Sequence, residues 1–309
     1  MRYLVTGGAG FIGSNLCRKL LHEGNSVACL DDLSTGKHRN IVELETHSNF
    51  EFFNHDLTKP FFPEKIDAIF NLACPASPVH YQYNPIRTLK MGTLAMYNVL
   101  GMAARLRVPI LQASTSEIYG DPTEHPQTES YLGNVNPIGP RACYDEGKRV
   151  AEALCIAYES YNKVDIRISR IFNTYGPFMD PEDGRVVSNF ITQALKSEPI
   201  TVYGDGTQTR SFCFVDDLVN GLISLLNSDY NRPINLGNPE EFNMLEFANL
   251  VKEKVGSTSE IVFKKLPLDD PRKRCPDISL ARKILEWQPK ISLKEGLEIT
   301  IDWYRSILE

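Results

Sequence analysis

The chain has 309 residues, is 42% hydrophobic and 23% charged, and carries a formal net charge of −6. That length suits one large α/β domain or a domain with a smaller lobe, and Lys and Arg dispersed on an acidic balance argue against a nucleic-acid or membrane-surface binder. Seven scattered cysteines without a C-x-x-C pair read as the reduced thiols of a cytoplasmic protein, and six scattered histidines form no ligand set, so no metal centre is expected.

Residues 2–6 are a short apolar, β-branched run, a predicted buried strand that begins too early for a signal peptide to precede it. The turn Gly7-x-x-Gly10-x-x-Gly13, which encloses Phe11 and Ile12, follows at once, and residues 11–21 then have helical periodicity. A strand, a glycine turn and a helix make a dinucleotide-binding unit. Missing β-carbons let the backbone approach a pyrophosphate, and the helix N-terminus offers unpaired N–H donors. A second strand, 26–30, ends in Asp31-Asp32. Asp31 lies about 20 residues past the glycines, where a carboxylate bonds both ribose hydroxyls of an adenosine and repels a 2′-phosphate. The expected cofactor is therefore NAD rather than NADP.

Residues 50–53 are a predicted third strand, with Asp56-Leu57 placed to touch adenine. A fourth, 65–73, ends at Leu72-Ala73 in a small-residue loop, on the edge of an open parallel sheet where cofactors lie. Residues 84–106 read as one long helix after an Asn84-Pro85 start. Its apolar residues cover more than one stripe, which predicts a second face buried against a partner subunit. A fifth strand, 108–112, leads into Ser114-Thr115-Ser116-Glu117 on the same edge. No apolar run approaches the roughly 20 residues of a membrane span.

Tyr144 and Lys148 come next, four residues apart on a helix expected to reach about residue 162. That spacing puts both side chains on one face. A cation held near a phenol favours the phenolate, so the Tyr144 pKa is expected to fall until the residue can exchange a proton with a sugar hydroxyl. The spacing alone arises about once by chance in a chain of this composition, so its weight comes from the glycine turn and the strand ends around it. Neighbouring Cys143 has no histidine to activate it and is not read as a nucleophile. A sixth strand, 164–171, leads to Asn173. Beyond Gly176, helical runs (186–196, 215–226, 243–255, 280–287, 293–308) alternate with brief strands (199–202, 233–236, 261–263). The expected fold is α/β, a doubly wound parallel Rossmann sheet. An NAD-binding domain would span 1–175, with interleaved segments from the C-terminal half, and a smaller substrate lobe mainly 176–309.

Long strings carry a resemblance: residues 114–122 (Ser-Thr-Ser-Glu-Ile-Tyr-Gly-Asp-Pro), 133–141, 143–149 (Cys-Tyr-Asp-Glu-Gly-Lys-Arg), 171–177, 183–190 and 208–212. With the glycine turn and the Tyr144-x-x-x-Lys148 pair, the whole chain resembles the extended short-chain dehydrogenase/reductases, closest to their nucleotide-sugar decarboxylase branch. The resemblance implies NAD, a UDP-sugar substrate and conversion of UDP-glucuronate to UDP-xylose by C4 oxidation, loss of CO2 and C4 re-reduction. It implies a homodimer in which helices 84–106 and 143–162 pack as a four-helix bundle. Tyr144 with Lys148 would be the base. Thr115 and Ser116 would contact the C4 oxygen or carboxylate region, and Glu117 would orient the ring or a water. Arg210 would support the carboxylate or the adjacent phosphate. Arg185, Arg210 and Arg274 match positions that clamp phosphates, for which a planar guanidinium is suited. Asn173, Val187, Tyr203 and Gln208 match other substrate positions, and Lys90 a cofactor position.

Related 4,6-dehydratases carry Asp-Glu where this chain has Ser116-Glu117, and related 4-epimerases usually lack an acid at the second position. Both reactions stay open as alternatives on the same scaffold. From another class, a non-catalytic NAD sensor would be expected to lose the tyrosine–lysine pair. Two departures stand out. Gly92 replaces an asparagine that usually braces the active-site region. Phe178 replaces an arginine, removing a cation near the substrate lobe and leaving the sugar open.

Overall fold

The computed structural model describes residues 1–266 and 273–308, and its centre is a seven-stranded sheet. In spatial order the strands are Pro233–Leu236, Ile166–Ile171, Ile110–Thr115, Ala68–Asn71, Arg2–Thr6, Ser26–Asp31 and Phe50–Asn54. Every neighbouring pair is parallel. The two inner faces are near-continuous apolar runs, as a sheet covered on both sides requires: Ile110, Leu111, Ile166 and Ile168 are all fully buried. The order reverses between Arg2–Thr6 and Ala68–Asn71. Open α/β sheets bind ligands beyond the carboxyl ends of their strands at such a reversal.

Beneath that point a buried polar chain crosses three strands. The Thr6 hydroxyl donates to Asn71 Oδ1 at 2.6 Å, and Asn71 Nδ2 donates to Gln112 Oε1 at 2.6 Å. Each group finds a partner, so the chain fixes strand ends without leaving buried polar atoms unmet.

Residues 85–106 run as one continuous helical segment after the Asn84-Pro85 start, as expected, but a π-helical turn interrupts its α-helical pattern and a separate short helix precedes it. The structure has Pro78–Tyr83, then Pro85–Lys90, then a π-helical turn over Met91–Ala95, then Met96–Leu106. Proline disfavours helical geometry in the residue before it, and Asn84 sits at φ −137° ahead of Pro85. Its side chain accepts from Arg87 N at 3.0 Å and caps the new helix. The short Pro78–Tyr83 helix, absent from the sequence reading, starts with proline at its first turn, where a missing N–H is harmless. The helix bearing Tyr144 runs Ala142–Asn162, 21 residues.

Among the described residues three small sheets lie outside the main one. The strand Thr209–Ser211 is flanked by Glu241–Asn243 and Lys273–Arg274. In that ladder Arg274 is the register partner of Arg210, which sets two arginines side by side. Ile200–Tyr203 pairs with Ile261–Lys264, and Cys213–Phe214 with Thr174–Tyr175. Pro233–Leu236, from the C-terminal half, forms an edge of the main sheet. Among the described residues no helix is long and apolar enough to cross a membrane.

Candidate active site

At the sheet's carboxyl edge lies a cleft of ≈ 560 Å³, within the usual range for a ligand site. Gly7, Gly10, Phe11, Ile12 and Gly13 line one end of it. A β-carbon on Gly13 would fall 2.1 Å from the Gly7 carbonyl oxygen, and one on Gly7, at φ +69°, would fall 2.9 Å from Ala73 N. The turn therefore has room only for backbone. The Phe11–His22 helix starts at Gly10 with no side-chain cap, so its first N–H groups face the cleft unmet by a cap. This is a cradle for an anion of pyrophosphate size.

Asp31 lines the same end and is 8% exposed. Its carboxylate accepts from Ala9 N at 3.0 Å and Leu33 N at 2.9 Å, so it also braces the glycine turn. Burial raises its pKa, and those backbone bonds oppose the rise. Asp32 lines the cleft but is paired with Arg87. Leu57, Leu72 and Ala73 line it as expected, with His55 beside them. Asp56 and Lys90 do not. Asp56 turns to Thr58 and to Arg87, 3.5 Å away. Lys90 is exposed at the end of its helix, and Met91, the next residue, faces the cleft instead.

Tyr144 and Lys148 meet the cleft from one face of their helix. Lys148 Nζ lies 5.7 Å from the Tyr144 ring centre and donates to the Ala113 carbonyl at 2.7 Å. The Tyr81 ring lies flat against Tyr144, with centroids 5.1 Å apart and planes 5° apart. The expected fall in the phenol's pKa is not what the protein produces. Burial pushes it up, and the Cys74 thiol adds to this against an opposing Thr115 hydroxyl. Desolvation outweighs the lowering from the Thr115 hydroxyl and the Arg185 guanidinium. Burial also raises the Cys143 thiol, which suits the reading of Cys143 as inert.

Thr115, Ser116 and Glu117 leave the Ile110–Thr115 strand into the cleft. Glu117 is not a loose carboxylate. Arg274 grips both its oxygens at 2.6 and 2.9 Å, and Arg141 donates at 2.6 Å from another side. Burial would raise this carboxyl, but the two guanidiniums win and hold it at about 2. Sequence reasoning missed Arg141. Its only signal was a guanidinium three residues before Tyr144, with nothing to say where it pointed. Asp145, next to Tyr144, was also missed; burial and the Glu117 charge push it up to about 7.

Asn173, Arg185, Val187, Tyr203, Gln208 and Arg210 all line the cleft's other end. Arg185 is paired with Asp183. Arg210 donates to the Thr209 carbonyl at 2.8 Å, and Gln208 to the Tyr203 carbonyl at 2.5 Å. Phe178 also lines the cleft, but its position is not empty of positive charge. The Arg18 guanidinium lies 3.6 Å above its ring, and Trp303 lies 5.4 Å from it. Among the described residues no group of His, Cys, Asp and Glu is arranged to hold a metal ion.

The sequence matches the family described as NAD dependent epimerase/dehydratase family over residues 3–237. It is 54% identical over 308 residues to UDP-glucuronic acid decarboxylase 1 of Xenopus tropicalis, covering 100% of this chain and 73% of that one. It is 54% identical over 306 residues to UDP-glucuronic acid decarboxylase 6 of Arabidopsis thaliana, covering 99% and 89%. The fold superimposes on UDP-glucuronic acid 4-epimerase from Bacillus cereus, solved with UDP-glucuronic acid and NAD, with a TM-score of 0.89 at 29% identity. That match covers 99% of this chain and 100% of the other.

Proposed function

We infer the reaction from one premise: this chain belongs to the NAD dependent epimerase/dehydratase family. Within it we propose NAD-dependent decarboxylation of UDP-glucuronate to UDP-xylose. The observation that carries this is the strand end Thr115-Ser116-Glu117 beside Tyr144. It offers hydroxyls where a dehydratase resembling this chain has an acid, and its one carboxylate is locked between Arg141 and Arg274. A substrate that loses CO2 needs no acid to expel a 6-hydroxyl. The decarboxylase relatives at 54% identity support the same reaction over the epimerase of the structural match.

The glycine cradle, the bare helix start and buried Asp31 fit a dinucleotide with its diphosphate on Gly10–Gly13 and its ribose on Asp31. When bound, NAD supplies the acceptor and later the donor of hydride at C4, and places positive charge beside a phenol that the protein alone holds high. Tyr144 takes the C4 hydroxyl proton as C4 is oxidised, with Lys148 supporting the phenolate. The sugar is then a β-keto acid. Its C5–C6 bond breaks, CO2 leaves, and the bond's electron pair passes into the C4 ketone as an enolate. Thr115 and Ser116 hold the C4 oxygen, and the guanidinium pair around Glu117 fixes the carboxylate region. C5 gains a proton from water, C4 is reduced again, Tyr144 returns its proton to the C4 oxygen, and no net redox change remains. Arg185 and Arg210 hold the substrate diphosphate, and Asn173, Val187, Tyr203 and Gln208 the rest of the nucleotide.

Incubation with UDP-glucuronate tests the reading: CO2 and a UDP-pentose are expected in equal amounts. UDP-galacturonate as the product would make the chain a 4-epimerase.

The reading includes a homodimer. Ile86, Leu94 and Tyr97 on the 85–106 segment are exposed, as are Val150, Ile156 and Tyr161 on Ala142–Asn162. Two such helices from each copy would cover these faces. Light scattering at micromolar concentration should give twice the chain mass for the wild type and the chain mass for Leu94→Glu/Tyr97→Glu. A monomeric wild type overturns the dimer. Seven free cysteines, six of them buried, support a cytoplasmic setting.

A further inference from the structure

We propose that Gly92 is a positioning residue for the Tyr144–Lys148 pair: its missing side chain sets how closely the catalytic helix seats on the Met91–Ala95 turn. The proposal rests on the reading above, in which those two side chains carry the proton chemistry.

Gly92 is buried within the π-helical turn. A β-carbon there would lie 2.5 Å from the Gly147 carbonyl oxygen and 2.7 Å from Gly147 C and Cα. These are backbone atoms of a helix and cannot swing aside. Gly147 sits directly before Lys148 and three residues after Tyr144, so any shift at this contact moves both. The contact is one-sided. A β-carbon on Gly147 would meet Gly92 Cα at 3.8 Å and the Thr88 carbonyl at 3.9 Å, which is ordinary packing.

Other contacts fasten the same two segments. Thr88 donates its hydroxyl to the Tyr81 carbonyl at 3.3 Å, and the Cys143 thiol donates to that carbonyl at 3.5 Å. On its far side the catalytic helix is tied to the sheet by Lys148 reaching Ala113. The helix is thus gripped between the turn and the strand. The extra residue of a π turn bulges the backbone outward, and such turns gather at functional sites. At the segment's other end Arg87 holds Asp32 and Asp56. One short stretch therefore links Asp32, which lines the cleft at its Asp31 end, to the position of Tyr144.

Elsewhere in a helix Gly→Ala is stabilising, so a loss here reports the contact. For Gly92→Ala, kcat per NAD-loaded site should fall on the order of 10²-fold, the effect of misplacing a reacting group by about 1 Å. NAD loading and KM should stay near wild type, and the pH limb of kcat should shift as the Tyr144–Lys148 pair moves together relative to the Thr115 hydroxyl that acts on the Tyr144 phenol. Gly147→Ala should keep wild-type kcat. Wild-type kcat in Gly92→Ala, or an equal loss in both variants, overturns the proposal. So does a loss carried by KM or NAD loading alone. If Gly92→Ala does not fold, Gly147→Val crowds the same contact from the other side and should lower kcat with NAD retained; wild-type kcat there also overturns it. Tyr144→Phe, measured alongside, separates the failures. Full turnover in that variant condemns the reading of Tyr144, whereas wild-type kcat in Gly92→Ala with Tyr144→Phe inactive condemns only the role of Gly92.

Discussion

Tyr144→Phe is expected to lower kcat on the order of 10³-fold, within the usual contribution of a positioned general base, while the protein still binds NAD. The substitution removes one oxygen from a ring that is 5% exposed and stacked on Tyr81. The ring keeps its packing, so fold and cofactor site should survive and only the proton path is lost. The affected step is C4 oxidation, which precedes decarboxylation. Neither CO2 nor reduced cofactor should therefore appear. A variant that still releases CO2 at the wild-type rate would remove Tyr144 from the mechanism, whereas a wild type that binds NAD and turns over no UDP-glucuronate would revive the sensor reading. Burial holds the Tyr144 phenol high. Its loss as a base should thus be most complete where the wild type depends on cofactor charge to ionise it.

Arg274→Ala should be the second large loss. Arg274 is 6% exposed and supplies two of the three arginine bonds on Glu117. Removing it leaves a buried carboxylate with Arg141 as its one guanidinium partner among the described residues. Breaking a buried pair destabilises by about 3–5 kcal/mol, and the remaining guanidinium places this case near about 3. Turnover should fall together with stability, because the released carboxylate then repels the substrate's own.

The pH dependence has a definite sign. Glu117 is held at about 2 in the folded chain, below the roughly 4.3 of an unfolded glutamate. Its contribution is present in full above about pH 4.5 and is lost as pH falls toward 2. In Arg274→Ala the carboxyl should titrate higher, so melting curves should show acid destabilisation beginning at higher pH than in the wild type. Coincident acid limbs would mean that Arg274 does not hold Glu117.

The parts legible in the sequence were those whose chemistry is local. The glycine turn, Asp31 at the second strand's end, and Tyr144 four residues before Lys148 each follow from spacing within one element, and the structure brings all of them to one cleft. The parallel sheet was legible for the same reason: apolar strands alternated with helical runs. Contacts between distant segments were not legible. Nothing near Glu117 in sequence announces Arg274, 157 residues away. Nothing near Asp32 announces Arg87. Asn84-Pro85 marks the start of the 85–106 segment as read, and the short Pro78–Tyr83 helix before it had only its own first-turn proline as a signal. The π turn had none, because no spacing or capping residue in Met91–Ala95 announces it. The direction of the Tyr144 pKa was misjudged because spacing reveals the cation and hides the burial. Phe178 read as a lost cation until Arg18, from the first helix, was found stacked on it.

The most direct measurement is the product formed from UDP-glucuronate by the NAD-loaded enzyme. The account predicts one CO2 and one UDP-xylose for each UDP-glucuronate consumed, with no net reduction of NAD. UDP-galacturonate without CO2, or unchanged UDP-glucuronate in the presence of NAD, would contradict it.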